Sequence, residues 1–212
     1  MMQWKPKLLL LVFFGLLAAC GNNQGEQIYK SWEKAAETEK NVSSFQNPRG
    51  VKENMEFDLF KIMSSKKTIE EISPLSEKAI ASAEERRDLL EQERSIRFEA
   101  YGQFQEALPE KNNLNESIKA PAEEAVELME KRYYTYEELI DIYNRSIDKD
   151  IDLYRLLSQE SLSAAELEDH QNAVNDFYNE IEELNETFNR QTEKFNDAKL
   201  EFYSAAGIEL HH

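Results

Sequence analysis

The last third of the chain carries apolar or small residues at alternating spacings of four and three. The series begins at Leu167 and continues to Ala205, and two of its positions hold the polar residues His170 and Gln191. An alternating 4-3 spacing places such residues on one narrow stripe of an α-helix, as in a coiled coil. The pattern therefore predicts a long helix that buries this stripe against neighbouring helices.

Both ends of this helix carry capping signals. Ser163 followed three residues later by Glu166 has the form of a capping box, in which each side chain bonds to the backbone N–H of the other residue. Gly207 suits the position after the last helical residues, where glycine readily adopts a left-handed conformation. We therefore predict one continuous helix over residues 163–206.

Three earlier segments show similar spacing with more interruptions. The second of them can begin at a Thr68 cap or at a Ser73 cap. Pro121 either starts the third at its first helical position or kinks a helix that begins near Asn113. The three segments cover residues 28–62, 69–108 and 125–157.

Together the four segments predict an all-α fold, an elongated antiparallel up-and-down bundle of four long helices. Short polar breaks between the segments favour antiparallel neighbours. Helices of roughly 40 residues would each be about 60 Å long, because an α-helix rises ~1.5 Å per residue. The sequence Asn-Pro-Arg-Gly at residues 47–50 interrupts the first segment. A bundle of three helices is the alternative if this interruption leaves the first segment too weak to pack along its whole length.

The N-terminus has the features of a lipoprotein export signal. Lys5 and Lys7 precede an apolar run over residues 8–19, which is shorter than the ~20 residues that a membrane-spanning helix needs. The run ends in a leucine, two alanines and Cys20, an order that resembles the lipobox of bacterial lipoproteins. We therefore predict cleavage before Cys20, the single cysteine of the chain, and attachment of a lipid to its sulfur.

These signals divide the chain into a signal peptide, a lipidated N-terminus with a short linker, a helical bundle domain and a short C-terminal tail. The parts cover residues 1–19, 20–25, 26–207 and 208–212, respectively. The expected location is the outer face of the bacterial cell membrane. The lipid on Cys20 is the expected membrane contact, since two acyl chains suffice for stable anchoring.

The chain is strongly acidic, with 42 acidic and 25 basic residues and a formal charge of −17. The leader holds Lys5 and Lys7 and no acidic residue, so the remaining chain carries −19. Nucleic acid is not an expected partner, because binding a phosphate backbone requires clustered lysine and arginine. The same negative charge disfavours attraction to anionic wall polymers.

The residue inventory contains no recognisable catalytic set. Lipid on Cys20 would occupy the one thiol that a cysteine hydrolase needs, and His170 with two C-terminal histidines lacks metal-binding spacing. We expect solvated surface positions for three pairs of adjacent glutamates, Glu84–Glu85, Glu123–Glu124 and Glu182–Glu183. We therefore predict a protein that is not an enzyme and binds no cofactor or metal. An enzyme would instead show a cleft with a perturbed carboxylate, whereas a binding module would show an exposed aromatic or apolar patch without a pocket.

Three tyrosines cluster in the third segment. Tyr136 falls on the apolar stripe and is expected in the core. Tyr134 is expected to point outward and Tyr133 to lie at the flank. Exposed aromatic rings can stack on sugars or anchor a protein partner, so Tyr133 and Tyr134 are candidate partner contacts. The alternative is packing on the bundle flank with the hydroxyls in water.

Six short motifs occur in a set order along the chain. They are the lipobox at Cys20, Glu26-Gln27-Ile28-Tyr29, Leu75-Ser76-Glu77-Lys78-Ala79, Arg132-Tyr133-x-x-Tyr136, Leu162-Ser163 and Phe202-Tyr203-x-x-Ala206-Gly207. In this order they resemble the YkyA-type cell-wall-binding lipoproteins of Gram-positive bacteria, over essentially the whole chain. The resemblance implies an all-α bundle and a wall-binding function, and it carries over no catalytic residues. This chain departs from the family pattern at residues 47–50, where an uninterrupted helix would be expected.

The leading hypothesis is a non-enzymatic, membrane-tethered helical rod that contacts the cell wall or a wall-associated partner. A second hypothesis is an adaptor or regulator that binds another envelope protein through a groove of the bundle. A wall-glycan hydrolase is the most remote alternative. The sequence leaves the identity of the ligand and the oligomeric state open.

Overall fold

The computed structural model describes residues 19–108, 114–160 and 162–209, and side chains from residue 24 onward. No strand occurs in these three stretches, which confirms the all-α prediction. The described stretches contain five helices: α1 (Ala19–Lys40), α2 (Ser43–Ser65), α3 (Ile69–Gln105), α4 (Glu116–Leu157) and α5 (Ala164–Ala205).

The helices pack as an antiparallel bundle with four positions, of which α1 and α2 together occupy the first. Between α3 and α4, Arg94 pairs with Glu137 and Arg87 pairs with Asp148, each at 2.6 Å. The two helices therefore run in opposite directions. Hydrogen bonds show the same antiparallel arrangement between the first segment and α3, and between α4 and α5. The predicted four-position bundle is confirmed over the three-helix alternative.

The break in the first segment lies at residues 41–42 and not at residues 47–50, so the predicted position is wrong. Helix α2 continues through Pro48. Val42 keeps helical dihedral angles of φ −56° and ψ −35°, so the break is a kink. The ring of a helical proline clashes with the carbonyl group four residues earlier, here that of Ser44, and therefore distorts the turns that precede it.

The structure decides between the predicted starts of two other helices. Thr68 accepts a hydrogen bond from the backbone N–H of Glu71 at 3.4 Å, so α3 begins at the earlier of its two predicted caps. Helix α4 begins at Glu116, and Pro121 lies inside it. The alternative in which Pro121 starts this helix is therefore wrong.

Helix α5 confirms the predicted last helix to within one residue at each end. The backbone N–H of Glu166 donates to Ser163 Oγ at 3.2 Å, and the Ser163 N–H donates to the Glu166 carboxylate at 3.1 Å. After the helix, Gly207 has φ +68°, and the N–H of Ile208 donates to the Tyr203 carbonyl at 3.0 Å. Both local signals act as the sequence predicts.

Residues 20–25, predicted as a linker, are helical and belong to α1. Gly25 is buried, and a Cβ atom at this position would lie only 3.0 Å from Cβ of Ala206. The glycine therefore permits close packing of α1 against the end of α5, and it does not provide flexibility here. The predicted leader lies outside the described residues except for Ala19.

Two apolar clusters fill the bundle. The first surrounds Trp32 and Phe202, and the second surrounds Leu90 and Ile147. Charged residues are also buried, among them Arg86, which is fully buried, and Arg132, which is 7% exposed. These charged residues form the floor of the site described next.

Candidate functional site

A groove separates α5 from the first segment on one side of the bundle. Helix α5 packs closely along α4, whereas its backbone rarely approaches α1 or α2. The section beside α1, lined mainly from within residues 32–46 and 188–199, has a volume of about 590 Å³. The section beside α2, lined mainly from within residues 53–60 and 171–178, has a volume of about 530 Å³. We call them the α1 section and the α2 section.

Amide side chains line the α5 wall of this groove. Their spacing follows the 4-3 pattern of a single helix face, so they form a stripe along the groove. An amide offers two N–H donors and a carbonyl acceptor, which suits hydrogen bonding to peptide and acetamido groups. The stripe consists of Gln171, Asn175, Asn185, Asn189 and Asn196.

The floor of the α1 section is a polar layer to which every helix position contributes one residue. Glu39 of α1 forms ion pairs with Arg97 of α3 and Arg132 of α4. Arg132 Nε donates to Thr192 Oγ1 of α5 at 2.8 Å. Because Thr192 and Glu39 both hold Arg132, the guanidinium is oriented before any ligand arrives.

Trp32 lies beside this layer at the edge of the α1 section. Its ring stacks on Phe104 with centroids 4.8 Å apart and planes inclined by 15°. Trp32 is 2% exposed, and Nε1 has no hydrogen-bond acceptor among the described residues. A buried donor without a partner costs about 1–3 kcal/mol.

The floor of the α2 section is a second polar layer with one residue from each helix position. Arg86 of α3 contacts Glu56 of α2 at 3.0 Å and Asp150 of α4 at 2.5 Å, both through Nη2. Tyr178 of α5 donates its hydroxyl proton to Asp150 at 3.0 Å. The layer therefore links all four positions of the bundle through one guanidinium.

Two carboxylates in this layer have perturbed proton affinities. Burial raises the pKa of Glu56 to about 7, although Arg86 and the Ser82 hydroxyl act in the opposite direction. Burial also raises the pKa of Asp150 against the effect of Arg86. From the sequence, a binding module is expected to lack both a pocket and a carboxylate with a perturbed pKa. The α2 section has both, so this expectation is wrong for it.

The geometry of Glu56 nevertheless differs from that of a catalytic acid. Its side chain is 2% exposed, and its oxygens interact with Ser82, Arg86 and Tyr154. A general acid must reach the atom that it protonates. Glu56 instead uses its oxygens to join α2 to α3 and α4.

Tyr133 and Tyr134 lie on α4 outside both groove sections. Tyr133 stacks on Tyr101 of α3, with centroids 3.8 Å apart and planes inclined by 7°. Tyr134 meets Tyr133 edge to face at 5.7 Å and is 65% exposed, whereas Tyr136 is buried as predicted. The three rings of Tyr101, Tyr133 and Tyr134 form an aromatic cluster that is partly open to solvent.

The paired glutamates lie on the surface, as predicted. The six paired glutamates are all exposed, and His170 is half-buried. The part of the chain that the structure describes holds no group of residues placed to bind a metal ion. The backbone of Cys20 belongs to α1, while its side chain and the last two histidines lie outside the described side chains.

Sequence reasoning missed the charged residues of the two layers. A signal was present, because Arg86, Glu93 and Arg97 continue the 4-3 stripe of α3 between the apolar positions Ala83 and Ala100. The stripe of that segment is irregular when its apolar residues are considered alone and becomes continuous when these charged residues are included. Charged residues on such a stripe can be buried when they are paired.

None of the described helices has an apolar stretch that could span a bilayer. The sequence matches the family described as "Putative cell-wall binding lipoprotein" (YkyA) over residues 23–205. It is 31% identical over 200 residues to the "Uncharacterized lipoprotein YkyA" of Bacillus subtilis (strain 168), with 92% of this chain and 89% of that protein covered.

The fold is similar to that of a crystal structure described as a conserved protein of unknown function from Staphylococcus aureus. The TM-score is 0.74 at 11% sequence identity, with 90% of this chain and 98% of that chain covered. At this identity the likeness shows a common fold alone. The family match and the Bacillus relative show more, and the chain therefore belongs to the YkyA family of lipoproteins.

Proposed function

We propose that the protein is a non-enzymatic lipoprotein that binds the cell wall from the outer face of the cytoplasmic membrane. A lipid on Cys20 holds it there, since the leader ends in a lipobox at this residue. The family description supports both lipid attachment and wall binding, and it names no catalytic activity.

The observation that carries the proposal is the open groove between α5 and the first segment. Its stripe of amide side chains and its neighbouring aromatic rings can bond and pack against acetamido sugars and peptides. The groove follows the long axis of a bundle whose longest helices have 42 residues, or about 63 Å. An extended polymer could therefore contact the protein at several points.

The aromatic cluster supplies a second contact surface in this proposal. The exposed ring of Tyr134, supported by Tyr133 and Tyr101, can stack on a sugar or anchor a protein partner. A partner protein of the envelope is the second candidate function. The aromatic cluster favours it because large rings at protein interfaces contribute much of the binding energy.

Co-sedimentation with purified peptidoglycan tests the proposal. The domain from Gly21 onward, without lipid, should sediment with walls, and Tyr134→Ala should weaken the binding without lowering Tm much, because this ring is 65% exposed. Adding Tyr133→Ala should weaken the binding further but should also lower Tm, because Tyr133 stacks on Tyr101. The matched control is Phe98→Ala on α3, because Phe98 is 66% exposed, much like Tyr134. If the intact domain stays in the supernatant with both bare and teichoic-acid-bearing walls, the protein-partner function replaces wall binding.

A further inference from the structure

Basic side chains outnumber acidic ones among the residues that line the α1 section, unlike in the chain as a whole. Four basic residues and one acidic residue, Glu39, line it, in a protein whose formal charge is −17. Among the residues that line the α2 section, three are acidic and none is basic. The four basic residues of the α1 section are Lys40, Arg97, Arg132 and Lys199. This section is therefore the part of the groove that suits an anionic ligand.

Hydrogen-bonding groups surround this positive region. Trp32 presents a buried Nε1–H that lacks an acceptor in the described part of the chain. On the opposite wall, Asn189 and Asn196 are exposed and face the same space. A ligand with amide groups would meet donors and acceptors on the wall formed by these two asparagines.

We propose that the α1 section binds a carboxylate-bearing peptidoglycan fragment, an N-acetylmuramyl peptide. The arginine layer of Arg97 and Arg132 attracts its carboxylate, and Asn189 and Asn196 bond to its acetamido and peptide groups. This proposal rests on the wall-binding function and names its ligand class. Glu39 pairs with both arginines, and Arg97 also contacts Glu93 at 3.4 Å. The two lysines pair with Glu37 and Glu33. Little positive charge is therefore left uncompensated, which favours a glycopeptide with an isolated carboxylate over a phosphate polymer with many anionic groups.

The chain itself provides a reporter for this site. It has two tryptophans, Trp4 in the predicted leader and Trp32 at the groove, so the mature protein retains Trp32 alone. Titration of the mature lipoprotein in detergent with purified monomeric muropeptide should change the Trp32 fluorescence in a saturable way. The same muropeptide with its carboxylates amidated should bind about tenfold more weakly, because the attraction to the arginine layer is lost. Equal affinities, or no saturable change, would overturn the proposal.

A charge-insertion variant locates the site without disturbing the core. Asn189→Asp with Asn196→Asp adds two negative charges to the exposed wall and should weaken muropeptide binding about tenfold. The matched control is Asn172→Asp with Asn179→Asp, two exposed positions of α5 that line neither section. The control should change affinity less than about twofold while adding the same charge. Equal losses in the two variants would place the ligand elsewhere.

Two further outcomes separate this inference from the function on which it rests. If walls sediment the protein but muropeptide gives no fluorescence change, wall binding stands and the ligand assignment fails. If a purified teichoic acid competes for the Trp32 signal and muropeptide does not, the site recognises phosphate, which also overturns the assignment. The ligand assignment is supported if the protein binds muropeptide, the groove variant binds it more weakly and the control variant binds it as the wild type does.

Discussion

The buried carboxyl of Glu56 should make the stability of the protein depend on pH in a defined direction. Burial raises its pKa from the ordinary 4.5 to about 7. The folded protein therefore keeps this proton at pH values where the unfolded chain releases it. The stabilising contribution is fully present below about pH 4.5 and is lost as the pH rises through about 7.

The structure also sets the size of the effect. A change of pKa from 4.5 to about 7 corresponds to about 3 kcal/mol of folding free energy. Asp150 shares Arg86 with Glu56, so the two carboxyls titrate as a coupled pair. For Glu56 alone we therefore expect about 2–3 kcal/mol. Glu56→Gln should mimic the protonated side chain and remove this dependence.

The measurement is urea-induced unfolding of the wild type and the Gln variant from pH ~4 to ~8. The variant should match the wild type within about 1 kcal/mol at low pH and become more stable by about 2–3 kcal/mol at high pH. Glu183→Gln, on the exposed face of α5, is the control and should stay within about 0.5 kcal/mol of the wild type throughout. If the difference between Glu56→Gln and the wild type does not change with pH, the assigned burial and proton affinity of Glu56 are wrong.

Two other substitutions test the anchor and the core. Cys20→Ala should release the protein from the membrane fraction or leave its leader uncleaved; normal processing with membrane retention would show that the anchor lies elsewhere. Phe188→Ala should lower the free energy of unfolding by about 3–5 kcal/mol, because the ring packs beside Tyr136 in the core. Glu183→Ala, on the outer face of the same helix, should change it by less than about 0.5 kcal/mol. Equal shifts of Tm in these two variants would mean that the wrong face of α5 is placed inward.

The predictions that succeeded depend on residues close together in the chain. The capping box of Ser163 and Glu166 and the left-handed Gly207 are local features, so the bounds of α5 could be predicted to within one residue. The position of Tyr134 on the exposed face of α4 also follows from helix periodicity alone.

The predictions that failed have two different physical causes. Residues 20–25 are predicted as a linker, but Gly25 lies in α1, and the end of α5, about 180 positions later, packs against it. Residues 47–50 contain the proline, but the kink lies earlier, at residues 41–42. The first failure follows from a packing partner that is distant in the chain, and the second follows from the effect of a proline ring on the turns that precede it.

The sequence by itself determined the helical segments, their apolar stripes and the capping of α5, because each depends on neighbouring residues in the chain. Only the tertiary structure decided that Glu56, Arg86, Asp150 and Tyr178 meet in one layer, since they come from four helices. It also decided that basic side chains outnumber acidic ones in the lining of the α1 section, unlike in the whole chain. The groove exists because α5 and the first segment stay apart over part of their length, and no local pattern specifies the relative placement of these two parts of the chain.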